Sequence, residues 1–205
     1  MIFHKWKTIF VGIPKNASNT FHVALSNATD SFLPNHDSIF EIYRKHDEEL
    51  LISYTSFCVC RNPYDRFYSA WKHNHPHPGP VSIEEYRNSF NQFVEKIGVP
   101  SKTIHSEINH EHYFSQYKFV TLNKHVLVDK VIRFESLPQG WKDYQDEFNQ
   151  KNVVPYKMSL TLTQENSSKI KTPWRDVYNK KSKEIISELY HLDFEIFGYD
   201  KELLG

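Results

Sequence analysis

Two short stretches of the chain set an apolar run against groups that bind anions. In "FVGIPKNASNTFHVAL", Phe10 to Leu25, a proline and Lys15 are followed by small polar residues and then by apolar residues at helical spacing. A loop that opens a helix presents backbone N–H groups backed by the positive end of the helix dipole, which suits a phosphate or a sulfate. Lys15 adds a mobile positive charge beside that cradle. The stretch lacks the G-x-x-x-x-G-K-[ST] pattern, and its lysine precedes the turn instead of ending it, which opposes a nucleotide kinase. In "VCRNPYDRFYSAW", Arg61 ends a second apolar run and Ser69 follows in the next helical stretch, a guanidinium and a hydroxyl able to hold a second anion. Each stretch alone has a plainer account: a capped helix with a surface lysine, and Arg61 and Arg66 in surface ion pairs with Asp65 or nearby acids.

The flanking residues say what must position these groups. Thr8 to Ile13 is short, continuously apolar and stopped by Pro14, as a buried parallel strand is. Phe21, Ala24, Leu25 and Ala28 then recur at helical spacing, with Ser18 to Thr20 near the helix start. The pattern repeats with Phe57 to Cys60 as a strand, Asn62 as a cap, Pro63 as first helical residue and Phe67, Ala70 and Trp71 as the buried stripe. Between the two units Ile39, Ile42 and Tyr43 predict a crossover helix. Val126 to Leu137 supplies a third strand, followed by a helix through Trp141, Tyr144 and Phe148. A last helix runs from about Lys180 to Phe197, with Ile185, Ile186, Leu189, Tyr190 and Phe194 on its inner stripe.

This alternation predicts an α/β fold, a mainly parallel sheet flanked by helices, with the ligand outside the carboxyl ends of the strands. The length suits a single domain over residues 1–205. Residues 73–120 or so are rich in His, Asn, Pro and Ser, with helical spacing only around Tyr86 to Ile97, and read as an insertion on the acceptor side. Lys plus Arg equals Asp plus Glu at 25 each, so no global field draws nucleic acid or an anionic membrane, and any anion site is local. Cys58 and Cys60, on one face of a strand, read as reduced core residues. With no apolar stretch long enough for a leader or a membrane span, and with Met1 taken as the natural start, the expected location is cytoplasmic.

Together, "IPKNASNTF" and "VCRNPYDRFYSAW" resemble the two motifs of sulfotransferases that use 3′-phosphoadenosine 5′-phosphosulfate (PAPS). The likeness is to the family of carbohydrate 2-O-sulfotransferases and their bacterial relatives. There a P-K-x-x-[GS]-T-[ST] loop wraps the 5′-phosphosulfate, and R-[DN]-P-x-x-R-x-x-S binds the 3′-phosphate. The resemblance implies a P-loop NTPase-like sulfotransferase fold. It gives Pro14, Lys15, Asn16, Ala17, Ser18, Asn19 and Thr20 to the phosphosulfate loop, and Arg61 and Ser69 to the 3′-phosphate. Asn19 departs from the pattern, which usually has threonine there. "DKVIRFESLPQGWKDY" and "YNKKSKEIISELYHLDFEIFGYD" look like later segments of the same family. Arg133 and Glu135, within the first of these, are able to touch the site, but the preferred reading for both is a buried structural ion pair. Ser168, Lys169 and Lys171 fall where relatives close a loop over the nucleotide, though a solvated connection explains them nearly as well.

The resemblance implies transfer of a sulfonate to a hydroxyl acceptor, expected on a carbohydrate or glycoconjugate, with Lys15 acting on the leaving phosphate and Thr20 helping to hold its oxygens. No metal is required. A hydroxyl acceptor needs a general base, and His36, just before a short helix as in bacterial relatives, is the first choice, with His46 and Glu41 behind it. The clusters His73, His75, His77 and His105, His110, His112 lack the spacing of a standard zinc motif and are expected to flank the acceptor. The alternative is a nucleotide- or glycan-binding protein that keeps the fold without transfer, a reading that Asn19 permits.

Overall fold

The β-branched run after Lys7 and the apolar run before Arg61 both become strands, and each leads into a helix. In chain order the elements are β1 (Ile2–Phe3), β2 (Thr8–Val11), α1 (Ser18–Ser26), α2 (Ile39–Lys45), β3 (Thr55–Cys60), α3 (Pro63–Asn74), α4 (Ile83–Ile97), α5 (Tyr117–Val120), β4 (Thr121–Leu122), β5 (His125–Val126), β6 (Lys130–Arg133), α6 (Leu137–Lys151), α7 (Lys180–Leu189) and α8 (His191–Phe197). This computed structural model describes residues 1–26, 36–46, 52–75, 82–98, 108, 110–151, 157–162 and 172–202. The chain divides into two compact units, residues 1–61 with 116–167, and residues 62–115 with 168–205.

The first unit is mixed α/β. Its sheet has the order β1-β2-β3-β6, in which β2, β3 and β6 run parallel and β1 lies antiparallel along the edge of β2. Register places Phe10 beside Phe57 and Val59 beside Ile132 on one face. Against that face α1 and α6 bring Phe21 and Trp141, whose rings lie 5.0 Å apart and edge-on, with Phe10 4.8 Å from Phe21. Gly140 lets α6 approach closely, since a Cβ there would stand 2.8 Å from Ile132 Cγ2. At the amino ends of the strands, the Asp129 carboxylate accepts from the Ser56 N–H at 2.7 Å and its hydroxyl at 2.6 Å, which ties β6 to β3 in register. The opposite, carboxyl ends are left for the loops.

Two expectations are corrected in this unit. The strand expected over 126–137 is interrupted: β4 and β5 form a two-residue hairpin through Asn123 (φ 49°) and Lys124 (φ 66°), β6 holds only Lys130–Arg133, and Phe134–Ser136 is a 3-10 turn. Arg133 and Glu135 are exposed instead of forming a buried pair: Arg133 ends β6, and Glu135 lies in the 3-10 turn that follows. Cys58 and Cys60 are buried free thiols, and burial followed by the neighbouring Cys60 pushes the Cys58 thiol well above its ordinary value.

The second unit is helical, with an aromatic core. Tyr64, Phe67, Tyr68 and Trp71 of α3 pack with Tyr86 and Phe90 of α4 and with Tyr178, Tyr190 and Phe194. Asn62 caps α3 by accepting from the Tyr64 N–H at 3.0 Å, and Pro63 opens the helix. Arg66 lies within this unit's interior, 1% exposed, and not in a surface ion pair; it falls on the stripe with Phe67 and Ala70. The last helix is broken at Tyr190 (φ −111°, ψ 25°), whose hydroxyl donates to the Tyr113 carbonyl at 2.6 Å. Leu189, expected inside, ends α7 just ahead of the break and is 42% exposed. Among the described residues no helix is long and apolar enough to cross a membrane.

Candidate functional site

The loop between β2 and α1 takes a conformation that its residues do not prefer. Lys15 (φ 68°) and Ala17 (φ 62°) are both left-handed, with Asn16 between them at negative φ. That costs about 1–2 kcal/mol for each side chain with a Cβ. Alternation of backbone hand turns successive N–H groups to one side and forms a concavity suited to an anion. The first turn of α1 holds no acidic residue to repel one.

Bonds from inside the unit offset the strain. The Asn16 side chain is turned inward, 1% exposed, and donates to the Val59 carbonyl at 2.8 Å and to Gln116 Oε1 at 2.7 Å. The Ser18 hydroxyl donates to the Ile13 carbonyl at 2.8 Å, closing the turn across Pro14. Arg61 Nη1 donates to the Lys15 carbonyl at 2.9 Å, while its guanidinium lies 4.1 Å from the centre of the Phe134 ring. Lys15 and Ala17 are half-buried, Pro14 and Thr20 are buried, and Asn19, the departure from the family pattern, is exposed. Asn16 therefore contributes backbone to the cradle and uses its side chain as an anchor.

His36 lies against the end of β2: its Nδ1 is 2.5 Å from the Gly12 carbonyl. A carbonyl oxygen only accepts, so Nδ1 carries the proton, and Nε2 of the neutral ring has the lone pair that a base needs. The two other candidates are placed differently. Glu41 spends its carboxylate in a capping box with Ser38, accepting from the Ser38 N–H and hydroxyl at 2.8 Å each, and His46 is exposed at the far end of α2.

Ser69 is half-buried on α3, in the second unit. Ser168, Lys169 and Lys171 lie outside the described residues, as do His77 and His105. In the second unit the rings of His73 and His110 pack edge-on against His112, at 4.7 and 4.5 Å. Among the described residues no group of His, Cys, Asp or Glu is placed to hold a metal ion. Sequence reading missed Gln116, which falls within the stretch taken as an insertion. Its one signal is a lone glutamine just ahead of a short aromatic run, and nothing in spacing links it to residues 55 and 100 positions away.

The comparisons bear on the chain as a whole. A family model described as the sulfotransferase family matches residues 1–200. No curated protein and no solved structure gives a match. The family match runs through the strained loop, Arg61, Ser69 and His36, and the chain belongs to the sulfotransferase family.

Proposed function

We propose that the chain transfers a sulfonate group from PAPS to a hydroxyl on a carbohydrate acceptor. Family membership supports sulfonate transfer, and the observation that carries the donor reading is the Lys15 loop, held left-handed at two non-glycine residues by bonds from Asn16, Ser18 and Arg61. A backbone kept strained by so many side chains is spent where a ligand needs its shape. The residues fit a phosphosulfate: a concave run of N–H groups, a lysine at its rim, and no carboxylate in the first helical turn. The P-loop-like character of the fold belongs to the same proposal.

The donor supplies a sulfonate activated by a phosphate leaving group. In this reading the loop N–H groups and Thr20 hold the phosphate oxygens, and the Lys15 ammonium neutralises the charge that grows on the bridging oxygen as its bond to sulfur breaks. His36 Nε2 takes the proton of the acceptor hydroxyl as the new oxygen–sulfur bond forms. Arg61 and Ser69 take the 3′-phosphate, Ser168, Lys169 and Lys171 cover the nucleotide, and the histidines between 73 and 112 flank the acceptor.

Calorimetric titration with 3′-phosphoadenosine 5′-phosphate, the desulfated product, tests the donor half. Micromolar binding that weakens tenfold or more in both Lys15→Ala and Arg61→Ala is the expected result. A folded wild-type protein that binds nothing would overturn it. Transfer from radiolabelled donor to a panel of glycans tests the acceptor half, and separates an enzyme from a fold that only binds.

A further inference from the structure

Gln116 precedes α5 by one residue, and its side chain is fully buried within the first unit. Its Oε1 accepts from Asn16 Nδ2 at 2.7 Å and from the Arg61 N–H at 2.9 Å, and its Nε2 donates to the Arg61 carbonyl at 2.8 Å. Cys60 is the last residue of β3 paired with β6, so at Arg61 the sheet has run out. The amide continues the ladder by one rung with a side chain, satisfying both backbone groups of Arg61. Arg61 in turn donates to the Lys15 carbonyl. The bonds close a circuit: Gln116 to Asn16, one residue back along the chain to Lys15, Lys15 to Arg61, and Arg61 to Gln116.

We propose that Gln116 is the positioning residue that couples the Lys15 loop to Arg61, so that the two phosphorylated ends of the nucleotide are bound cooperatively. The inference rests on the donor reading above. An anion drawn to Arg61 steadies the residue that grips the Lys15 carbonyl, and Gln116 transmits that order to Asn16 and the concave backbone. A glutamine that merely satisfied buried groups would support both ends equally. Gln116, joined by hydrogen bonds to both, makes the gain from the 3′-phosphate depend on its own amide.

The test titrates two probes, 3′-phosphoadenosine 5′-phosphate and adenosine 5′-phosphate, into the wild type, Gln116→Met and Gln116→Glu, with a melting curve for each protein. The ratio of the two affinities is the gain from the 3′-phosphate. Gln116→Met, close in shape but without the amide, shrinks that ratio tenfold or more. Gln116→Glu keeps the accepting oxygen but loses the donor at neutral pH, and gives a smaller loss. If Gln116→Met does not fold, the Gln116→Glu ratio decides alone. A ratio equal to wild type in the folded variants, with both probes weakened alike, overturns the coupling and leaves the donor reading standing. A wild type that binds neither probe removes the donor reading, and the coupling with it.

Discussion

Two places where a strand hands over to a helix, β2 into α1 and β3 into α3, solve the same problem in opposite ways. The second junction is short and relaxed: only Arg61 and Asn62 separate Cys60 from Pro63, Asn62 sits at φ −49° and ψ 126°, and its side chain caps the helix. The first is long and strained, running from Gly12 to Ala17 with left-handed backbone at Lys15 and Ala17. The helix start of the relaxed junction is specified by its own residues, because a cap and a proline each act within one turn, while the backbone of Arg61 just ahead of it is held by Gln116. A strained junction must be held from elsewhere in the chain, here by Val59, Arg61 and Gln116. The side chains that hold it are therefore as much a part of the candidate site as the loop.

The largest expected effect falls on chemistry. Lys15→Ala removes the charge at the rim of the loop while its left-handed backbone and the bond to its carbonyl remain. Transfer should fall about 10²–10³-fold, the range seen when one donor to a developing charge is lost. The melting temperature should hardly move. A variant that turned over donor at the wild-type rate would show that the strained junction serves no phosphate leaving group.

Stability separates the junctions next. Asn16→Ala strips the donor from both the Val59 carbonyl and Gln116 Oε1. At about 1 kcal/mol net for each of the two bonds, less some relief because Asn16 Oδ1 is itself buried without a partner, the loss should be about 1.5 kcal/mol. Asn62→Ala removes one cap and should cost about 1 kcal/mol. Urea denaturation of both variants checks the order. If Asn62→Ala cost more, the loop would be held by something other than its inward asparagine.

How much of this was legible in the sequence follows the same division. Asn62, Pro63 and the stripe of Phe67, Ala70 and Trp71 could be read because capping and helical periodicity are local. The parallel strands at Phe10 and Phe57 could be read because burial on both faces demands an unbroken apolar run. Lys15 was legible as a charge beside a helix start, and His36 only through resemblance. The left-handed backbone at Ala17 was not legible, since nothing in an alanine announces positive φ. Gln116 was not legible because its partners are set by the tertiary fold. The broken helix at Tyr190 hid for a similar reason: Ile186 and Phe194 keep helical spacing across the break, and the hydroxyl bond to Tyr113 that accompanies it spans 77 residues.

The smallest expected effect puts one substitution in the strained junction and in the helix that follows the relaxed one. Ala17 stands in the left-handed region at φ 62°, where an L-residue bears about 1–2 kcal/mol that glycine does not. Glycine also gives the unfolded chain more freedom, worth about 0.5–1 kcal/mol against folding. Ala17→Gly should therefore stabilise the protein by roughly 0.5 kcal/mol, the difference of those terms. Ala70→Gly, inside α3 with ordinary helical backbone and a fully buried methyl, should destabilise by about 1 kcal/mol or more. Opposite signs for one chemical change would place the strain in the loop and not in helices generally. Nucleotide affinity should not follow stability, because glycine opens further conformations to residue 17 and lets the unliganded loop leave the concave shape. A more stable variant that binds 3′-phosphoadenosine 5′-phosphate more weakly is the signature of a junction strained for its ligand. Equal or tighter binding would mean that the left-handed turn is incidental to the site.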